Sequence, residues 1–295
     1  MAGLLTRVKS RLFIASKLKS VHPLDGGYAS LVRGRSLDFE DLRPYEAGDE
    51  VRDIDWRATA RSGEPMVRRS HAERRHSILF VVDSGVGMRA LARDEGSKRD
   101  LAILTVGALA TLAVRHGDDV LLMYAEGGRA RRLAPRRSDG GLELMLRTLD
   151  AALESSRERA PRDLLLRSVA QTVTRRMIVV VVTDEAPIGP AGERELRRLR
   201  VQHDVLWLTL RDADPVLPFS PERRRRDAVT GWAVPDFLHG RADVLAEAEA
   251  QRAESDARRA ELLDRLEITH AEVDGQETAV GTLLRMLHRR SHAGR

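Results

Sequence analysis

The stretch Ser77-Ile78-Leu79-Phe80-Val81-Val82-Asp83-Ser84-Gly85 decides how the rest of the chain is read. An unbroken apolar run, Ile78–Val82, ends on an aspartate and a small-residue turn. A strand with one wet face alternates apolar and polar residues, whereas a strand covered on both faces does not. Ile78–Val82 is therefore predicted to be a central strand of a parallel sheet. Met177–Thr183 repeats the pattern and also runs into an aspartate, Asp184. Between the two, Lys98–Arg115 carries Leu, Ala, Ile and Val at helical spacing and stops before His116-Gly117. Val120–Tyr124 reads as a strand, with Arg129–Leu133 pairing to it after the Gly127-Gly128 turn. Leu142–Ala152, Leu164–Thr174 and Glu193–Arg200 read as helices and Val205–Leu210 as another strand. This alternation predicts an α/β fold, a doubly wound and mostly parallel sheet with helices on both faces.

The two ends of the chain differ in kind. Residues 4–20 place Leu4, Leu5, Val8, Leu12 and Ala15 at helical spacing among Arg7, Lys9, Arg11, Lys17 and Lys19. A helix docked on its own domain accounts for so narrow a stripe better than a helix lying on a membrane. Residues 34–76 mix charge, aromatic residues and glycine with no period of 3.6 or 2. They read as an ordered irregular extension, because Phe39, Tyr45, Ile54 and Trp56 call for burial. After Pro218 the expectation is a loop or short hairpin over 220–236, then a long polar helix, Ala242–Leu266. A last strand, Ile268–Val273, and a last helix, Thr278–Leu287, follow. The organisation expected is an N-terminal helix and extension (1–76), an α/β domain (77–218), and a C-terminal portion (219–295) packing on that same domain.

Composition narrows the function. The 295 residues hold 42% hydrophobic side chains, enough for a substantial core. No apolar run approaches the ~20 residues that cross a bilayer, and no signal-like block opens the chain. With no cysteine, disulfides, thiolate metal sites and cysteine nucleophiles are excluded, which suits a cytoplasmic location. The 50 basic residues face 45 acidic ones. Only Lys9, Lys17, Lys19 and Lys98 are lysines, so the high isoelectric point reflects arginine usage rather than a strong positive field. A nucleic-acid-binding reading would rest on Arg131-Arg132, Arg136-Arg137 and Arg223–Arg226, which lack interleaved aromatics. Catalysis is not expected: there is no Gly-x-Ser-x-Gly elbow, Walker loop or His-Glu-x-x-His, and His71 and His76 lack a third ligand at suitable spacing.

Ligands of open parallel sheets bind beyond the carboxyl ends of the strands, where Asp83 and Asp184 fall. Asp83-Ser84-Gly85-Val86-Gly87-Met88 resembles the metal-ion-dependent adhesion site of von Willebrand factor A domains, which uses Asp-x-Ser-x-Ser with a threonine and a further aspartate. Here Gly85 and Gly87 replace the two serines, and Pro161-Arg162-Asp163 falls where the threonine belongs. The set Asp83, Ser84 and Asp184 is thus a degenerate site. Roles in capping or in arginine pairing are expected ahead of Mg²⁺ binding.

The most specific feature precedes the sheet: Gly34-Arg35-Ser36-Leu37-Asp38-Phe39-Glu40-Asp41-Leu42-Arg43-Pro44-Tyr45-Glu46-Ala47-Gly48-Asp49-Glu50-Val51-Arg52-Asp53-Ile54-Asp55-Trp56-Arg57-Ala58-Thr59-Ala60-Arg61. It resembles the hallmark of the bacterial family "domain of unknown function 58". There a Gly-x-Gly-like turn leads to Glu-Phe-x-x-x-Arg-x-Tyr-x-x-Gly-Asp, then Arg-x-Ile-Asp-Trp and Thr-Ala-Arg. Ser36 stands for the second glycine and Asp38 for the usual glutamate. Weaker echoes are Gly27–Ser30, Ser97-Lys98-Arg99 and Asp212–Pro218. In physical terms Arg43, Tyr45, Gly48, Asp49, Arg52, Asp53, Asp55, Trp56 and Arg61 supply arginine forks, carboxylates and aromatic faces suited either to a structural network or to a docking surface. The resemblance implies a von Willebrand factor A-like domain, no established enzymatic activity, and a partner. Members are commonly encoded beside MoxR-type AAA+ ATPases and are thought to act with them in maturing or remodelling client proteins. Longer relatives carry transmembrane helices, and this chain looks like the short cytosolic form.

Overall fold

The computed structural model describes residues 3–18, 41–46, 49, 51, 54–69, 76–157, 162–217 and 225–293. Its centre is a six-stranded sheet of β3 (Ser77–Val82), β4 (Asp119–Glu126), β5 (Arg129–Arg132), β6 (Ile178–Thr183), β7 (Asp204–Leu210) and β8 (Thr269–Val273). The strand order is β5-β4-β3-β6-β7-β8. All neighbours are parallel except the β4–β5 hairpin at one edge. The chain first winds outward from β3 to β4 and later returns to place β6 on the other flank of β3. That reversal makes the β3–β6 boundary the topological switch point, where a crevice opens at the strand ends.

Burial explains why β3 and β6 show no alternation. Ile78, Phe80 and Val82 face one layer while Leu79 and Val81 face the other, and all five are buried. The first layer is built from α3 (Lys98–Arg115), α4 (Asp139–Ser155) and α8 (Gln276–Ala293); the second from α5 (Arg162–Thr172), α6 (Pro190–Gln202) and the end of α7 (Ala242–Arg265). Both faces are dry, as a doubly wound sheet requires.

The N-terminal helix α1 (Leu4–Leu18) docks on the first layer through Leu5, Val8 and Leu12. The Glu143 carboxylate accepts from the Leu4 and Leu5 amides at 3.2 and 2.8 Å, closing the positive end of that helix. Those bonds, that from Leu5 foremost, hold its pKa below the ordinary glutamate value. Close approach is possible because Gly107 of α3 has no side chain: a Cβ there would sit 2.8 Å from Val8 Cγ2. Gly107→Val is expected to push α1 off, costing about 1–3 kcal/mol in urea unfolding.

The segment expected to be irregular is more regular than its sequence suggests. It forms a two-stranded antiparallel sheet, β1 (Asp41–Pro44) with β2 (Met66–Arg69), and a short helix α2 (Trp56–Ser62). The missing periodicity has a simple cause. Strands of four residues and a helix of seven are too short to display a period. Phe39 lies outside the described residues.

Candidate functional site

Asp83 and Asp184 emerge side by side at the switch point, at the ends of β3 and β6. Asp83 is buried; its Oδ1 accepts from the Gly85 amide at 2.9 Å and its Oδ2 from the Thr183 hydroxyl at 3.1 Å. Asp184 Oδ1 accepts from the Ala186 amide at 3.0 Å. Each carboxylate therefore closes its own post-strand turn. Ser84 points away from both: its buried hydroxyl bridges the amide and the carbonyl of Ala125 on β4, each at 2.9 Å. Burial first, and then the neighbouring Asp184 charge, raise the Asp83 pKa from 3.8 to about 6. The Gly85 amide, Arg162 and Thr183 offset part of that rise.

Two buried cations lie near the strand ends. Arg162 is buried, lies 5.8 Å from the Trp207 ring centroid, and donates to the Ala186 and Pro187 carbonyls at 2.8 and 2.6 Å. Lys98, with a side chain 0% exposed, pairs with Asp212 at the end of β7. Asp212 feels the charge of Asp184, and burial, the largest influence, holds its pKa above the ordinary value in spite of Lys98. The residues do not fit a divalent cation. Gly85 and Gly87 offer no side-chain oxygen, and a Cβ at Gly87 would collide with Asp184 Oδ2, so a serine cannot stand there without moving the carboxylate. Arg162 and Lys98 supply built-in positive charge instead. Among the described residues no three His, Asp or Glu side chains group as ligands.

Beyond the crest, Arg211 and Arg259 bind three carboxylates from separate elements. Arg211 reaches Glu185 at 2.6 Å, Asp256 at 2.8 Å and Glu272; Arg259 reaches Asp256, and Glu272 at 2.9 Å. This lattice fastens α7 across the ends of β6, β7 and β8. Burial is the largest influence on both Glu185 and Glu272. It leaves the Glu185 pKa raised, whereas Arg259 and Arg211 outweigh it at Glu272 and lower that pKa.

The motif residues form a compact platform. Asp55 is the N-cap of α2, accepting from the Arg57 and Ala58 amides at 2.9 and 3.0 Å. Its own amide donates to Met66 on β2 at 2.8 Å, and the Thr59 hydroxyl accepts from the Met66 amide. Asp49 closes a turn by accepting from the Glu46 amide at 3.0 Å. Arg43 lies on β1, and Arg61 is exposed in the last turn of α2. Gly48, Arg52 and Asp53 lie outside the described residues. The expectation that Tyr45 and Trp56 are buried is wrong: Tyr45 is 40% exposed and Trp56 66%. Trp56 occupies the first turn of a helix whose buried contact is made by Ala58, so its indole points outward.

The sequence profile of the family described as "Protein of unknown function DUF58" matches residues 41–256, from β1 into α7. The chain belongs to that family. Uncharacterized proteins of Mycobacterium tuberculosis and Mycobacterium bovis are 29% identical over 227 residues, covering 75% of this chain and 69% of theirs. Among solved structures, an aerotolerance-related membrane protein from Bacteroides fragilis (16% identity, TM-score 0.43) and the conserved hypothetical protein BatB from Bacteroides thetaiotaomicron (14%, 0.43) each align over 74% of this chain and 99% of theirs. A von Willebrand factor type A structure from Catenulispora acidiphila aligns over 74% of this chain and 43% of its own, at 8% identity and TM-score 0.37. The von Willebrand factor A-like assignment of this DUF58 chain rests on its strand order, its antiparallel edge hairpin and its switch-point aspartates. No described helix is long and apolar enough to cross a membrane.

Sequence reasoning overlooked Lys98, Arg211 and Trp232. Lys98 carried two legible signals, being a lysine in a chain whose basic residues are almost all arginine and standing in the family echo Ser97-Lys98-Arg99. Arg211 and Trp232 carried none.

Proposed function

We propose that this DUF58 chain is a non-enzymatic, cytoplasmic adaptor that docks a MoxR-type AAA+ ATPase through the β1–α2–β2 platform, in the service of protein maturation or remodelling. The observation that carries the reading is the outward indole of Trp56, with Tyr45 also exposed, on a capped and hydrogen-bonded platform. Large aromatic side chains held rigidly in water are what interface anchors look like before a partner arrives. The crest supports the same reading, since its carboxylates are engaged by amides, Arg162 and Lys98 rather than left to polarise a substrate. Nucleic-acid binding finds less support. Arg131 pairs with Glu126, Arg137 with Asp119 and Arg225 with Glu95, so one arginine of each cluster has its charge met by a carboxylate.

The test is capture of a MoxR-type ATPase by the immobilised full chain, with ATP, with ADP and without nucleotide. Joint replacement Tyr45→Ala and Trp56→Ala is expected to weaken capture about 30-fold, with an unchanged melting curve. No capture in any nucleotide state, or undiminished capture by the double variant, would end the adaptor reading.

A further inference from the structure

Beside the crest lies a half-open cleft of 790 Å³, floored in part by Asp212, the partner of Lys98. Two stretches of chain bring its distinctive groups together: Arg89 and Leu91 from the turn after β3, and Arg226, Trp232 and Val234 from the segment before α7. Leu91 is 43% exposed and Trp232 61%. Both are held by ordered backbone. Ala213 donates to the Leu91 carbonyl at 3.0 Å, and Asp227 donates to the Trp232 carbonyl at 2.7 Å. The Asp227 carboxylate in turn accepts from the Val229 and Thr230 amides at 3.1 and 2.6 Å, closing the turn that carries the indole.

The charges of the cleft divide into two sets. Arg225 is paired with Glu95, Arg252 with Asp214, and Asp212 with Lys98. Arg89 and Arg226 are different. Among the described residues each has a single hydrogen bond, to the Ser156 carbonyl at 3.4 Å and to the Gly231 carbonyl at 3.2 Å, and neither forms an ion pair. Two guanidinium groups with unspent donors therefore share a cleft with an exposed indole and an exposed leucine.

We propose that this cleft binds a peptide segment of another protein in which an aspartate or glutamate stands next to a bulky apolar residue. A guanidinium fork matches a carboxylate in shape and charge, and Trp232 with Leu91 covers the apolar neighbour. The volume suits a few peptide residues. A nucleotide fits the charges less well, because Asp214 and Asp227 line the same cleft and oppose a dense cluster of phosphate charge. The proposal goes beyond ATPase docking and does not depend on it.

Selection of a displayed library of random dodecapeptides on the full chain is expected to return Asp or Glu beside Trp, Phe or Leu. A fluorescein-labelled peptide so selected is expected to bind Arg89→Glu/Arg226→Glu and Trp232→Ala at least about tenfold more weakly than wild type. The three side chains are exposed, so both variants are expected to keep the wild-type melting curve. Trp56→Ala is expected to bind the peptide as wild type does, and because the assay contains no ATPase, failure of the adaptor reading leaves the result unmoved. Absence of an acidic–apolar consensus, undiminished binding by the cleft variants, or displacement of the peptide by ATP overturns the proposal.

Discussion

Arg211→Ala is expected to destabilise the protein by about 3–5 kcal/mol, the cost of breaking a buried ion pair from one side. Arg211 is 9% exposed at its side chain and touches Glu185, Asp256 and Glu272. Its removal leaves Asp256 and Glu272 with Arg259 and takes from Glu185 the guanidinium it pairs with, and water cannot replace the lost charge without opening the packing of α7 against β8. The exposed helix pair Arg258–Glu254 supplies the contrast. Arg258→Ala removes a pair worth only about 0.3–0.5 kcal/mol. Urea unfolding of the two variants at neutral pH checks the prediction. A loss at Arg211 as small as that at Arg258 would mean that α7 is held by its apolar contacts, Leu262 and Leu263, and not by the lattice.

Asp83→Asn is expected to stabilise the protein at neutral pH. The folded-state pKa of Asp83 is about 6 against an ordinary 3.8, so the folded state holds its proton more tightly than the unfolded chain does. Stability from this group is fully present below 3.8 and is lost as pH rises through about 6. The loss reaches about 3 kcal/mol by about pH 7.5. Asparagine stays neutral throughout. Its carbonyl can accept from the Gly85 amide, and its NH₂ can donate to the Thr183 hydroxyl, which rotates to accept. His203 moves stability the other way. Burial, helped by Arg176, lowers its pKa below 6.5, so its contribution is fully present above 6.5 and is lost as pH falls through the lower folded value. Subtracting wild-type from variant stability at each pH cancels the histidine and isolates the aspartate. That difference is expected to grow from acid to neutral pH; a flat difference would show that Asp83 is ionised without penalty.

The buried strands were legible because they are local. Ile78–Val82 and Met177–Thr183 announce burial on both faces within a few residues, and the helical spacing of Lys98–Arg115 matches α3 at both ends. Placing Asp83 and Asp184 at the crest followed from the same reading, as each simply ends its strand. The platform around Trp56 was misread for a related reason. Its elements are short, and the amino acid type of Trp56 argues for burial while its position on α2 decides exposure.

Sequence alone therefore determined the two-sided α/β core, the family motif and the aspartates at the switch point, since apolar runs and their spacing record which faces meet water. Tertiary structure decided which charge meets which. Lys98 finds Asp212, Arg162 settles beside Asp83, and Arg211 gathers Glu185, Asp256 and Glu272 from elements far apart in the chain. No local pattern encodes those partnerships. They arise because parallel strands bring their carboxyl ends to one edge, and because burial there makes each charge depend on the neighbours that replace its water.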